Sequence, residues 1–262
     1  MDTNNMRIIA GPCQHETFGH SAQIASECKR VCDKYGIDYY FKASYDKANR
    51  TSINGMRGAG LETTMTDFRS LKEKLGVKIL TDVHDYVQVA RIEREYSDVV
   101  DVYQIPAFLC RQTDLIKAAC KTGKTVNIKK GQFLAPWDVK GILSKTEGAL
   151  DVWITERGTS FGYNTLVVDY TGLQYMLDNY DVPIVLDGTH AVQKPGGQGD
   201  SSGGNRNYVP GLLRAGAALG IDSFFMEVHD EPDLAPSDGP NMLYLKDFEE
   251  VVRDIVSYSY TR

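Results

Sequence analysis

Several protein classes are excluded by what this chain has little of. Tryptophan and histidine are scarce, at two and five in 262 residues. The five cysteines, at 13, 28, 32, 110 and 120, form no CxxC pair and are odd in number. Neither a disulfide framework nor a zinc ribbon fits that spacing, so reduced thiols are expected. No apolar run approaches the roughly 18 residues of a membrane span, and residues 1–6 (MDTNNM) lack the apolar core of a signal peptide. Basic residues are not in excess: 29 Lys and Arg face 35 Asp and Glu, for a net charge of -6, the wrong sign for a general nucleic-acid binder. No Pro/Ser-rich linker or low-complexity segment interrupts the chain, so one catalytic domain over 1–262 is expected. A cytoplasmic protein with no membrane or nucleic-acid partner is the expectation these absences leave.

What is present is a rhythm of short apolar runs alternating with helical patterns. The runs are RIIAG (7–11), YYFKAS (39–44), KILTDVH (78–84), VYQIPAF (102–108), TVNIKK (125–130), VWITERG (152–158), PIVLDGTH (183–190) and SFFMEVH (223–229). Helical stretches at 21–36, 64–76 and 112–123 each end at glycine, as helix termination favours. Strands alternating with helices imply a parallel sheet, and eight such units imply closure into an α/β, (β/α)8 TIM barrel.

The polar residues at the strand ends carry the functional signal, because the C-terminal ends of barrel strands converge on the active site. In order they are Cys13, Lys42, Asp82 with His84, Gln104, Lys129, Arg157, His190, and Glu227 with His229. Lys42, Lys129 and Arg157 would share one mouth, with Lys47 and Arg50 close behind Lys42. Buried cations need anionic partners, so a small phosphorylated or carboxylated substrate is expected. Lys130 reads instead as a surface charge or ion pair. The glycine-rich GGQGDSSGGNR (196–206) reads as a mobile lid or a phosphate cradle.

Barrel closure would also bring Cys13 beside Glu227, since the first strand then neighbours the last. With His190 and with Asp238 in the following loop, these residues form a thiolate, imidazole and carboxylate set suited to a divalent metal. Fe2+, Zn2+, Mn2+ and Co2+ all suit it. Two other readings of Cys13 stay open from spacing alone: a packed core atom, or a nucleophile using His15 or His20 as base. His15, His20 and His229 also read as ordinary polar loop residues. Cys28 and Cys32 share a helix face, where packing is favoured over metal binding.

The words FKASYDKANR, GAGLE, TDVH, QIPAFLCRQTDL, NIKKGQF, ERGTSFGYNTLVVD, DGTHAVQ and SGGNR occur in this order. Together they make the chain resemble the 3-deoxy-D-manno-octulosonate 8-phosphate synthase family, from first strand to last helix. The resemblance implies condensation of phosphoenolpyruvate with arabinose 5-phosphate. Lys42, Lys47, Gln104, Ala107, Lys129 and Arg157 match its phosphoenolpyruvate set. Asn49 and Arg50 match its sugar-phosphate segment, with Thr51 where serine is usual, and Ser202 matches the phosphate-contacting loop serine. Phe108 and Arg111 match a segment that reaches a neighbouring subunit's site, implying a homotetramer. Lys47, Lys129, Asp82, His84, His190 and Glu227 form the expected catalytic group, with Asp82, His84 and Glu227 as candidate proton carriers or orienters. The family divides into metal-dependent enzymes, with cysteine at the first position, and metal-free ones, with asparagine there. Cys13 places this chain in the first class, with His190, Glu227 and Asp238 completing the ligands. Three alternatives remain: a related synthase using erythrose 4-phosphate, a Schiff-base aldolase on Lys129, and an inactive barrel that binds sugar phosphates. KANR (47–50) argues against the first, which typically carries a lysine-proline-arginine type of segment.

Overall fold

The computed structural model describes residues 6–48, 56–196 and 203–259. Its centre is a ring of parallel strands: β1 (Arg7–Gly11), β2 (Asp38–Lys42), β3 (Lys78–Asp82), β4 (Val102–Ile105), β5 (Thr125–Lys129), β6 (Val152–Glu156), β7 (Ile184–Asp187) and β8 (Ser223–His229). Each pairs with the next in chain order. The ring closes where β1 lies along β8, from Arg7 opposite Ser223 to Gly11 opposite Glu227. The expected TIM barrel is therefore the observed fold.

Alternation along each strand sorts the side chains. Ile9, Tyr40, Leu80, Val102, Trp153, Val185 and Phe225 point inward and pack together as an apolar floor. Their neighbours, among them Ile8, Phe41, Ile79, Tyr103, Ile154 and Phe224, point outward into the larger core shared with the helices. Those helices are α1 (Phe18–Tyr35), α2 (Leu61–Leu75), α3 (Tyr86–Tyr96), α4 (Thr113–Cys120), α5 (Val139–Leu143), α6 (Tyr170–Asn179), α7 (Val209–Leu219) and α8 (Phe248–Tyr258). On α1, Ile24, Cys28, Val31 and Cys32 fall on one buried stripe, which makes Cys28 and Cys32 packing residues. All five cysteines are free and buried.

Several boundaries differ from the sequence reading. Helices α1 and α2 begin three residues earlier, at Phe18 and Leu61. Helix α4 stops at Cys120, and Gly123 closes the turn beyond it, its N–H donating to the Cys120 carbonyl at 3.1 Å. Strand β4 stops at Ile105 because Pro106 has no N–H to give the ladder; Ala107 and Phe108 belong to a single 3-10 turn, Ala107–Leu109. Strand β7 stops at Asp187, whose carboxylate accepts the N–H groups of Thr189 and His190 at 3.1 and 2.9 Å. His190 thus starts a 3-10 turn, His190–Val192, three residues past the strand end where the sequence placed it.

At the top of β1, Gly11 allows a close approach. A Cβ there would run into the carbonyl oxygen of Lys42 on β2. Backbone cannot yield as a flexible side chain can, so Gly11→Ala is expected to destabilise the barrel by about 1–3 kcal/mol or more. A urea midpoint equal to that of the parent protein would disprove this.

Candidate active site at the barrel mouth

One inward step above the apolar floor, every strand from β2 to β8 changes character. Two residues beyond Tyr40, Leu80, Val102, Val185 and Phe225 come Lys42, Asp82, Gln104, Asp187 and Glu227. On β5 and β6 the same face continues through Asn127 to Lys129 and through Thr155 to Arg157. All of these polar residues are buried. Buried charge of this density must be internally compensated or reserved for a ligand, and both occur here.

The first group gathers around the β1–β8 seam. One donor atom from each of Cys13, Glu227 and Asp238 lies within 4.8 Å of the others. The Cys13 thiol donates to Asp238 Oδ2 at 3.2 Å. Asp238 reaches inward from a left-handed backbone conformation, φ 55°, and also accepts from Ser237 Oγ at 2.8 Å and Gln193 Nε2 at 2.7 Å. His190 stands beside this trio, with Nε2 3.6 Å from Glu227 Oε1 and Nδ1 2.7 Å from Asp187 Oδ2. Lys42 Nζ holds Glu227 Oε1 at 3.1 Å and the Cys13 carbonyl at 3.0 Å, while Glu227 Oε2 is buried without a hydrogen-bond partner. Burial, reinforced by Glu227, pushes the Cys13 thiol up to about 12. Against the cost of burial, His190, Lys42 and Lys47 hold Glu227 below the usual carboxylate range, and His190 and Lys47 do the same for Asp238. A thiol, an imidazole and two carboxylates, one with an orphaned oxygen, make a donor set that fits a borderline divalent ion.

Cations make up the second group. Lys129 Nζ ion-pairs with Asp187 and sits 3.2 Å from the Phe225 ring centroid. Burial pulls Lys129 down to about 8; Lys42 and Arg157 add to the fall while Asp187 opposes it. Arg157 gives Nη2 to Gln193 Oε1 at 2.9 Å, but its buried Nη1 has no partner. An unsatisfied guanidinium nitrogen beside a half-compensated lysine suits an incoming anion. Burial would lower Lys47 too, yet Cys13, Asp82, Glu227 and Asp238 hold it above the usual lysine value.

On the opposite wall Ser44 Oγ donates to Asp82, and His84 Nε2 lies 3.3 Å from Asp82 Oδ2. Burial raises Asp82, but His84, Lys47 and Lys42 outweigh it and keep the carboxylate ionised. Burial likewise lowers His84, and Asp82 more than reverses it, so the imidazole holds its proton above its ordinary value. Asn127 Nδ2 donates to Gln104 Oε1 at 3.4 Å and fixes the amide of Gln104.

This mouth can be set against known proteins. Residues 2–259 match the family model described as the DAHP synthetase I family. The chain belongs to the DAHP synthetase I family. Among similar proteins in this family, a 2-dehydro-3-deoxyphosphooctonate aldolase of Cyanothece sp. is 50% identical over 98% of this chain and 93% of its own length. The proteins of the same description from Agrobacterium fabrum and Bartonella henselae are each 49% identical. They match over 98% and 97% of this chain and 90% of their own lengths.

For this member of the DAHP synthetase I family, the expected site residues fall into three sets. Cys13, Lys42, Lys47, Asp82, His84, Gln104, Lys129, Arg157, His190, Glu227 and Asp238 gather at or around the mouth, through the contacts given above. Ala107, Phe108 and Arg111 do not: they leave the barrel on the turn after β4, with Phe108 and Arg111 exposed. Asn49, Arg50, Thr51 and Ser202 lie outside the described residues, as does most of the glycine-rich stretch. Within its described end, Gly203–Gly204 pair antiparallel with Gln193–Lys194.

Of the two readings of Lys130, surface charge or ion pair, the second holds: it is buried with Nζ 3.1 Å from Glu156 Oε2. The nucleophile reading of Cys13 loses His15, which is taken by Ser21 Oγ and Asp67 Oδ2 at 2.9 and 2.8 Å; His20 clusters with Glu16, Asp230 and His229 rather than with Cys13, its Nε2 3.1 Å from Asp230. The sequence reading missed Asp187, which links Lys129 to His190, and Gln193, which links Arg157 to Asp238. Asp187 had a signal, as a charged residue ending the apolar run IVLD. Gln193 had none, because its loop has no periodicity to orient it.

Proposed function

We propose that the protein condenses phosphoenolpyruvate with D-arabinose 5-phosphate and water, releasing 3-deoxy-D-manno-octulosonate 8-phosphate and inorganic phosphate, and that it is a metal-dependent enzyme of this kind. The product is a precursor of the KDO sugar of lipopolysaccharide. The observation that carries the reading is the pairing, in one buried mouth, of a cationic face (Lys129, and Arg157 with an unsatisfied Nη1) with the Cys13, Glu227 and Asp238 cluster. The printed description of relatives about half identical over nearly the whole chain supports the substrate choice.

In this reaction the C2–C3 π electrons of phosphoenolpyruvate form the new C–C bond to the sugar aldehyde. The aldehyde oxygen gains a proton. Water adds its oxygen to C2 and gives up both protons, one as it adds and one as the C2 ketone forms; the C2–O bond to phosphate breaks with its electrons leaving on phosphate, which takes up the second proton. Lys129, Arg157, Lys42 and Lys47 neutralise the carboxylate and phosphate, so two mutually repelling anions are held together. Gln104 and Ala107 complete the phosphoenolpyruvate contacts, while Asn49, Arg50, Thr51 and Ser202 serve the sugar and phosphate ends. Asp82 holds the proton on His84, which makes that imidazole the candidate donor to the aldehyde oxygen. Asp187 fixes both Lys129 and His190, so the anion face and the metal face share one anchor. Cys13, His190, Glu227 and Asp238 would hold Fe2+, Zn2+, Mn2+ or Co2+, which when bound supplies charge to orient the aldehyde or to acidify water.

The same reading includes a homotetramer that acts in the cytoplasm. Exposed Phe108, Phe133, Phe161 and Tyr163 lie on the loops after β4, β5 and β6, where a neighbouring subunit would cover them and receive Arg111. No described helix is long and apolar enough to cross a membrane.

The test is to incubate the protein with both substrates, with and without a chelator, and to identify the product by mass. One equivalent of phosphate per octulosonate phosphate is expected, lost on chelation and restored by a divalent metal. Erythrose 4-phosphate as the preferred acceptor would redirect the assignment to the related synthase, and trapping of a substrate on Lys129 by borohydride would redirect it to a Schiff-base aldolase.

A further inference from the structure

Outside the mouth described above, two histidines and two carboxylates are assembled where the loop after β1 meets the end of β8. Glu16 immediately precedes Thr17, the N-cap of α1; His20 lies in the first turn of that helix; His229 is the last residue of β8. We propose that Glu16, His20 and His229 form a second divalent-cation site, for Zn2+ or an ion of similar preference, oriented by Asp230.

One donor atom from each of the three lies within 4.8 Å of the others, a spread that a modest contraction would bring to the ligand separations of a tetrahedral ion. His229 Nε2 is 3.0 Å from Glu16 Oε1, and His20 Nδ1 is 3.8 Å from the same oxygen. His20 Nδ1 is buried and makes no hydrogen bond. Each imidazole's other nitrogen meets a single carboxylate oxygen. His20 Nε2 lies 3.1 Å from Asp230 Oδ1, and His229 Nδ1 lies 3.0 Å from it. With a proton on each of those nitrogens, Asp230 holds both rings so that His20 Nδ1 and His229 Nε2 present lone pairs toward Glu16. A carboxylate behind a ligating histidine is the arrangement that fixes tautomer and ring orientation at metal centres.

Chemistry and charge agree with this. Without an ion, the backbone N–H of Glu231 donates to His229 Nδ1 at 2.9 Å. The proton then sits on Nε2 and bridges to Glu16. Metal binding moves that proton to Nδ1, and the Glu231 N–H retains Asp230 Oδ1 as acceptor at 3.0 Å. Among the described residues, neither Glu16 nor Asp230 pairs with a lysine or arginine. The cluster therefore holds two carboxylates with no lysine or arginine beside them, a charge that a dication bound through the two imidazoles would balance. A two-histidine, one-carboxylate set leaves a fourth position for water. None of these residues belongs to the Cys13, His190, Glu227 and Asp238 set, so the two sites are separable.

Cobalt titration distinguishes them, because a thiolate ligand gives Co2+ a near-ultraviolet charge-transfer band and an imidazole–carboxylate set does not. The Cys13→Ala chain is expected to bind Co2+ without that band, and the Cys13→Ala/His20→Gln chain to bind one fewer ion. Zn2+ should displace the His20-dependent ion and Mg2+ should not. Asp230→Asn should weaken it by about 10–100-fold. If His20→Gln compromises folding, as checked by a thermal melt, Glu16→Gln in the same background serves, since Glu16 is exposed. Equal Co2+ uptake by Cys13→Ala and its Glu16 or His20 double variant would overturn the proposal. Absence of the thiolate band in the parent chain would count against the first site alone.

Discussion

Replacing Cys13 by alanine is expected to remove the metal of the barrel mouth and turnover together while leaving the barrel folded. Cys13 sits just beyond Gly11 and Pro12, and its thiol contacts Asp238 rather than supporting the helix core. Losing one sulfur atom there should cost the fold little. The proposed metal site would lose its one soft ligand, and the remaining imidazole and carboxylates would hold a borderline ion less tightly. A metal centre contributes several kcal/mol of charge stabilisation; at 1.36 kcal/mol per tenfold, activity should fall by about a thousandfold. Metal analysis and turnover measured on one preparation check this, and a fully active, metal-stripped Cys13→Ala protein would refute it. Cys13→Asn should behave differently, retaining a measurable chelator-insensitive rate, since the metal-free class carries asparagine there.

Lys129→Ala should have the second large effect, on stability and on phosphoenolpyruvate use at once. Asp187 would remain buried and ionised with one partner fewer, and breaking such a pair from one side costs about 3–5 kcal/mol. Lost charge-assisted contacts of about 1.5–3 kcal/mol should lower kcat/KM for phosphoenolpyruvate by roughly ten- to a hundredfold. Lys129 also predicts a pH dependence. Below about 8 the ammonium is present and would bind the anion of the proposed reaction. Above it the amine is neutral, so kcat/KM should decline about tenfold per pH unit, an inflection that Lys129→Arg should abolish. For stability the sign is opposite: between 8 and the ordinary 10.5 the unfolded lysine holds a proton that the folded one has released. Stability contributed by this group therefore rises with pH across that window. A flat kcat/KM profile through pH 9 combined with unchanged stability of Lys129→Ala would show that the Lys129–Asp187 pair does not work as described.

Much of the mouth was legible because alternation is a strict rule of strand geometry. Once Tyr40 and Phe225 are assigned inward, Lys42 and Glu227 must follow on the same face, and both do. Turn-borne residues were less legible. His190 and Asp238 stand on irregular backbone, where no period orients a side chain. Lys130 left two outcomes open for a related reason: alternation turns it away from the mouth, but only the structure shows that it meets Glu156 rather than water. His15 was an open candidate until Ser21 and Asp67 were seen to occupy both of its nitrogens.

The amino-acid sequence by itself determined the strand and helix alternation and the polar residues at the strand ends. These are local properties, set by side-chain period and by where glycine and proline interrupt it. Only the tertiary structure decided which of those residues meet. Closure of β1 against β8 put Cys13 beside Glu227 and Asp238, as a closed barrel implied, and brought Glu16 and the first turn of α1, with His20, to His229 at the end of β8. Such contacts join positions more than 200 residues apart, where the deciding quantities are distance, burial and competition for partners.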